Sequence, residues 1–162
     1  MRNGIVVCIG EGRYKNIGDY VQSVAAAQFS GQAPALVERE RLSDYSGEPV
    51  KLVMNGWFMF HPEKFPPAAQ IVPLFVSFHV RPKAEAAFFT PATTAYLKAH
   101  EPIGCRSRDM VEMLARHGIC GEFSSCLTLT LGATFRHRSD AGRPVFVDPW
   151  FVRPSRKKGW WR

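Results

Sequence analysis

Arg106 and Arg108 flank Ser107 in the stretch CRSRD, where Ser107 is a helix-capping residue type. Guanidinium groups at a helix N-terminus suit an anion such as phosphate or carboxylate. The competing reading is a surface ion pair with Glu101 or Asp109. His79 ends the run PLFVSFH and could move a proton, or sit as a hydrogen-bonded strand-end histidine. Gly18 and Asp19 lie in NIGD, where Asp19 is either a helix cap or an acidic group at a cleft. Asn55 precedes Gly56, a strong turn signal. Ser125 and Thr128 follow an apolar run and could donate hydrogen bonds.

Other residue types carry less chemistry. Gly10 and Gly12 with Gly18 do not have dinucleotide-fingerprint spacing. His61, His100, His117 and His137 show no metal-ligand spacing, and His117 suits packing or a helix end. Cys8, Cys105, Cys120 and Cys126 form no C-x-x-C pair, and Cys105 and Cys126 have no base that the sequence can name as a partner. Trp57 and Phe58 read as core before they read as a stacking platform.

The elements that must position these groups alternate. Strands are expected over 4–9, 35–40, 51–54, 74–80, 102–106, 119–123, 127–131 and 145–147. Helices are expected over 20–29, capped by Asn16 or Asp19, over 90–100 from Thr90-Pro91, and from Ser107 to Gly118. Residues 57–67 read as a loop with packed aromatics. In the strand at 74–80, alternation puts Leu74, Val76, Phe78 and Val80 on one face and Phe75, Ser77 and His79 on the other. Strands spaced by helices predict an α/β Rossmann-like three-layer domain with a mainly parallel sheet over residues 1–132. Residues 133–162 are expected to hold a linker, a last strand and a basic aromatic tail. In such a sheet, loops after the strands share one edge, which would gather Gly18, Asp19, Asn55, His79, Arg106 and Ser125.

The 162 residues are 46% apolar, 22% charged and 12% aromatic, which excludes disordered, collagen-like and coiled-coil classes. The net charge is +7, but residues 133–162 hold eight Lys/Arg against two Asp, leaving the body almost neutral. The ending RKKGWWR could meet nucleic acid or an anionic membrane. No stretch has the length of a transmembrane helix and no signal-peptide core is seen, so a cytoplasmic location is expected, without structural disulfides.

The ordered segments NIGDYVQSVAAAQF, KLVMNGWF, PLFVSFH, HEPIGCRSRD, HGICGEFSSCLTLTLG and VFVDP together resemble the polysaccharide pyruvyl transferase family. The resemblance implies one half of a two-domain fold similar to the GT-B glycosyltransferases. It implies transfer of a pyruvyl group, as a ketal, from phosphoenolpyruvate to a sugar hydroxyl of a cell-surface or exported polysaccharide, as in exopolysaccharide biosynthesis. No cofactor or metal is called for. Arg106 and Arg108 would bind the donor anion, His79 would serve as acid or base, Gly18, Asp19 and Asn55 would shape the cleft, and Ser125 and Thr128 would donate hydrogen bonds. Ser107 stands where the family commonly has Asp, and Ser125 where it commonly has Gly. Family members are about twice as long, so a truncated transferase, inactive without a second domain, is expected; that domain could be a separate chain, or a homo-oligomer could complete the cleft. The alternative is a non-catalytic binding module or partner subunit with a basic tail.

Overall fold

β-Branched and aromatic runs form the strands β1 (Arg2–Val7), β2 (Ala35–Glu38), β3 (Val50–Phe58), β4 (Ile71–Val80), β5 (Ile103–Cys105) and β6 (Gly121–Phe123). The helices are α1 (Ile17–Ala27), α2 (Glu85–Phe88), α3 (Pro91–Lys98), α4 (Arg108–Arg116) and α5 (Leu131–Thr134). These come from a computed structural model that describes residues 1–9, 16–31 and 33–135. All strand pairs are parallel and the sheet order is β2-β1-β3-β4-β5-β6. The expected Rossmann-like α/β architecture is present. The chain steps one way from β1 to β2 and the other way from β3 onward. Right-handed crossovers therefore place α1 on one face and α4 on the opposite face. The crevice between the carboxyl ends of β1 and β3 is the switch point where such sheets hold ligands.

The helix starts are set by their caps, and α1 begins at Ile17, three residues before the expected start at 20. Asn16 Oδ1 accepts from Gly18 N at 2.9 Å, Thr90 Oγ1 from Thr93 N at 3.2 Å, and Ser107 Oγ from Met110 N at 3.3 Å. Because Asn16 caps α1, the Asp19 carboxylate is free for other work. The expected helix end at Gly118 also holds, with φ of 65° there. His117 packs as expected, stacked on Phe89 at 4.0 Å with Glu85 3.2 Å away.

The main core lies between the sheet and α2, α3 and α4. Phe58, Phe78, Phe88, Leu97, Met110 and Leu114 have no exposed surface. Phe78 stands at its centre, with ring centroids 4.8 Å from Phe58 and 5.2 Å from Phe75.

Several expectations are corrected. Phe75 shares the core face with Phe78 and Val80, while Leu74 is 61% exposed. The cause is a bulge. Met54 pairs with Phe75 and Gly56 with Phe78, so β4 takes one more step than β3. The extra residue flips the alternation. Ser77 absorbs the distortion at φ 57°, its N–H donates to Ser124 Oγ at 2.9 Å, and its hydroxyl donates to Ser125 O at 2.7 Å. β3 also does not stop at Asn55-Gly56. Gly56 takes φ 94°, which suits glycine, and the strand continues to Phe58 through residues expected to be loop. Residues 39–40 are not strand, since β2 ends at Glu38 and Arg39–Asp44 form a 3₁₀ segment.

Residues 127–131 are not a strand either. Leu127–Thr130 is a 3₁₀ turn leading into α5. The segment is tied to the end of α1 through Gln28, whose Nε2 donates to Thr130 Oγ1 at 2.5 Å and whose Oε1 accepts from Thr134 Oγ1 at 2.6 Å. The expected strand at 145–147 and the basic tail lie outside the described residues. Among the described residues, no helix is long and apolar enough to cross a membrane.

Phe78→Ala should destabilise the protein by about 3–5 kcal/mol in urea denaturation, because it deletes a ring at the centre of the core. Leu36→Ala, at a position 61% exposed, should cost under about 1 kcal/mol.

Candidate functional site

The carboxyl ends of the strands deliver side chains to the switch point. A pocket of about 330 Å³ opens there, lined by Asn16, Gly18, Asp19 and Gln22 of the α1 start, Trp57 at the end of β3, and Arg81 and Arg106 beyond β4 and β5. Behind it lies a recess of about 10 Å³ that shares Asp19, Gln22 and Trp57 with the pocket and adds Cys8, Arg39 and Asn55.

The wall between the two is built on a buried cation. Arg39 is 2% exposed. Its Nε donates to Glu40 Oε1 at 2.6 Å, its Nη1 to Asp19 Oδ1 at 3.2 Å, and its Nη2 to Cys8 Sγ at 3.2 Å. Trp57 and Phe60 lie against the guanidinium, with ring centroids 4.9 and 5.8 Å from its carbon. Glu40 Oε2 accepts from Phe60 N and His61 N at 2.7 and 2.9 Å. One buried ion cluster thus ties β1, α1, the turn after β2 and the end of β3. The neighbouring carboxylates hold Arg39 firmly charged despite burial. Burial, partly offset by Arg39, pushes the Cys8 thiol up.

Asn55, 3% exposed, lines the recess. Its Nδ2 donates to Gln22 O at 3.0 Å and Gln22 Oε1 at 3.3 Å. These two acceptors fix the amide orientation, since the flipped form would set oxygen against oxygen. Asn55 Oδ1 and Asp19 Oδ2 are both buried and have no partner among the described residues. Arg81 and Arg106 line the pocket, and among the described residues neither guanidinium makes an ion pair or hydrogen bond. The site therefore presents two unneutralised cations at the pocket and two unmet acceptors behind it.

The expected site residues divide on this geometry. Gly18, Asp19 and Arg106 meet in the pocket, and Asn55 sits just behind it. Arg108 does not join them; it is exposed and stacks over Phe123 at 5.2 Å. His79 pairs with Trp57 across the sheet but does not line the pocket, and its Nδ1 is buried without a partner among the described residues. Burial and the nearby Arg106 charge lower the His79 pKa, with Asp109 opposing. Ser125 adopts φ 63° and accepts from Ser77 through its carbonyl. Thr128 Oγ1 lies 3.0 Å from Cys126 Sγ, and Gln22 Nε2 donates to the same sulfur at 3.3 Å. Against burial, these contacts and Arg106 leave the Cys126 thiol below its ordinary value.

Arg39, Glu40, Arg81 and Gln22 were not among the expected site residues. Arg39-Glu40 is a charged pair at the end of an apolar run, and only its burial sets it apart. Arg81 directly follows the strand that ends in His79 and Val80, so the edge rule that selected His79 reaches it as well.

Comparison of the chain with protein-family models, with curated proteins and with solved structures finds no match.

Arg39→Ala should destabilise the protein by about 3–5 kcal/mol, because Glu40 and Asp19 would keep buried charge without a counterion; chemical denaturation reads this directly. For His79, the folded form binds its proton more weakly than the unfolded chain does. Stability should therefore fall as pH drops through the ordinary histidine value of 6.5. A proton NMR titration should give a His79 midpoint below 6.5, and Arg106→Ala should raise it.

Proposed function

We propose that this domain binds phosphoenolpyruvate at the switch-point pocket and forms the donor side of a polysaccharide pyruvyl transferase. The observation that carries this reading is the pair Arg81 and Arg106. They are two guanidiniums without counterions among the described residues, in a pocket of about 330 Å³ at the N-terminus of α1. Both are half-buried, and two guanidiniums converging on one pocket favour an anionic ligand that accepts charge-assisted hydrogen bonds. The donor carries a phosphate and a carboxylate, one for each arginine. An anion near the first turn of α1 also gains from the helix dipole.

The chemistry asks for three things. The phosphate must leave with its charge stabilised, which the arginines supply. The methylene carbon must gain a proton, and the sugar hydroxyl must lose one. His79 is the candidate acid; it does not line the pocket itself but pairs across the sheet with Trp57, which does. Its lowered pKa keeps it neutral at pH 7 and makes its protonated form the stronger acid, so turnover limited by this group should rise as pH falls toward that pKa. Gly18 gives the ligand close access to the helix start, and Ser125 and Thr128 support the loop that carries Cys126 beside Gln22. The resemblance includes a second domain across the cleft, so turnover on this reading requires that partner, while donor binding does not.

A second reading, docking of a partner subunit, has one observation in its favour. A cleft of about 350 Å³ on the α1 side of the sheet is lined by Phe29, Val72 and Leu74, all exposed. It has few polar groups with which to orient a small substrate.

Calorimetry with phosphoenolpyruvate should show saturable binding that Arg106→Ala weakens at least about tenfold, the effect of one lost charge-assisted hydrogen bond. Arg108→Ala should leave it unchanged. Equal affinity in the wild type and Arg106→Ala would reject the reading.

A further inference from the structure

Two unmet acceptors behind the anion pocket have no role in binding phosphoenolpyruvate, which has no hydroxyl to donate. Asn55 Oδ1 and Asp19 Oδ2 are both buried without a partner among the described residues. Both residues line the same recess, which at about 10 Å³ holds one small polar group and no ring. Asn55 cannot turn its amide to relieve the deficit, because Nδ2 is held by Gln22 O and Oε1. Asp19 cannot swing away, because Oδ1 is held by Arg39. A buried acceptor left unmet costs about 1–3 kcal/mol, so two on one recess mark a place where a donor belongs. Arg39 already pairs with Asp19 through Oδ1 and with Glu40 through Oε1. A single hydroxyl supplies the donor that a recess of about 10 Å³ has room for.

We infer that this recess is a hydroxyl subsite: a ligand hydroxyl enters past Trp57 and donates to Asp19 Oδ2, with Asn55 Oδ1 beside it. The inference rests on the anion-pocket reading, and there it identifies the acceptor alcohol's binding point and the base that serves it. The proton of that hydroxyl passes to Asp19 Oδ2 as its oxygen bonds to the central carbon of phosphoenolpyruvate. The methylene carbon takes a proton from the acid in the same addition. A second hydroxyl of the acceptor then displaces phosphate, which carries that hydroxyl's proton away and leaves the ketal. Arg39 is a positioning residue in this scheme. It holds Asp19 through Oδ1 and leaves Oδ2 without a partner among the described residues.

Two small probes separate the subsite from the anion pocket. 2-Phospholactate has the phosphate and carboxylate of the donor on a saturated carbon frame. 2-Phosphoglycerate adds one hydroxyl to it. Calorimetry on the full wild-type chain should show 2-phosphoglycerate binding about tenfold or more tightly, as expected for a hydrogen bond to a charged acceptor. Asp19→Asn, checked for its fold by circular dichroism, should cut that ratio to about threefold or less; the ratio is the readout, because losing a carboxylate charge from the pocket lining shifts the affinity of both anionic probes together. Equal binding of the two probes to the wild type overturns the hydroxyl subsite and leaves the anion pocket standing. An undiminished preference in a folded Asp19→Asn chain also overturns it. Failure of both probes to bind overturns the anion pocket and the subsite together.

Discussion

The Arg39 guanidinium is the constraint on which the rest of the carboxyl edge depends. It is buried, and a buried charge survives only with partners in good geometry. Its partners come from four places: Cys8 after β1, Asp19 in α1, Glu40 in the next turn, and the Trp57 ring at the end of β3. Satisfying one cation therefore fixes the relative placement of elements that the sheet hydrogen bonds alone would leave loose at their ends. Glu40 extends the lock by accepting two backbone N–H groups from the segment after β3. The pocket and the recess are the two sides of this assembly.

The bulge in β4 does comparable work further along the sheet. By inserting one residue opposite Met54–Gly56, it turns Phe75, Phe78 and Val80 onto one core face and keeps His79 off it. It also recruits Ser124 and Ser125 as hydrogen-bond partners of Ser77, which anchors the chain leaving β6 close to the sheet edge. From there the segment runs toward α1, and Cys126 comes to Gln22. Gln22 thus connects the Asn55 recess to the loop after β6, and the site is braced on both sides through one side chain.

Much of the fold was legible in residue order. Asn16, Thr90 and Ser107 marked three helix starts because each type caps by a local hydrogen bond that depends on few neighbours. The parallel sheet followed from strands spaced by helices. The misreadings share a cause. The face of β4, the continuation of β3 through Gly56 and the turn at 127–130 are each decided by a partner far away in sequence. Simple alternation assumes an unbroken register, and no local pattern announces the extra residue at Ser77. The site was legible to the extent that it follows strand ends, which brought Gly18, Asp19, Asn55 and Arg106 together. Arg39 escaped because its type and spacing resemble a surface charge, and only tertiary burial gives it a different role. Arg108 shows the reverse: two residues from Arg106, it begins α4 facing Phe123 and solvent.

The chemical character of the edge is a division of labour between neighbouring spaces. Among the described residues, the pocket offers cations without counterions and the recess offers acceptors without donors. On the proposed function, the pocket would take the phosphoenolpyruvate anion and the recess a sugar hydroxyl. The most direct measurement is phosphorus NMR of phosphoenolpyruvate titrated with the full chain. The predicted result is a concentration-dependent shift and broadening of the phosphate signal that disappears with the double variant Arg81→Ala/Arg106→Ala. A signal unaffected by the wild-type protein, or equally affected by the folded double variant, would contradict an anion site at the switch point.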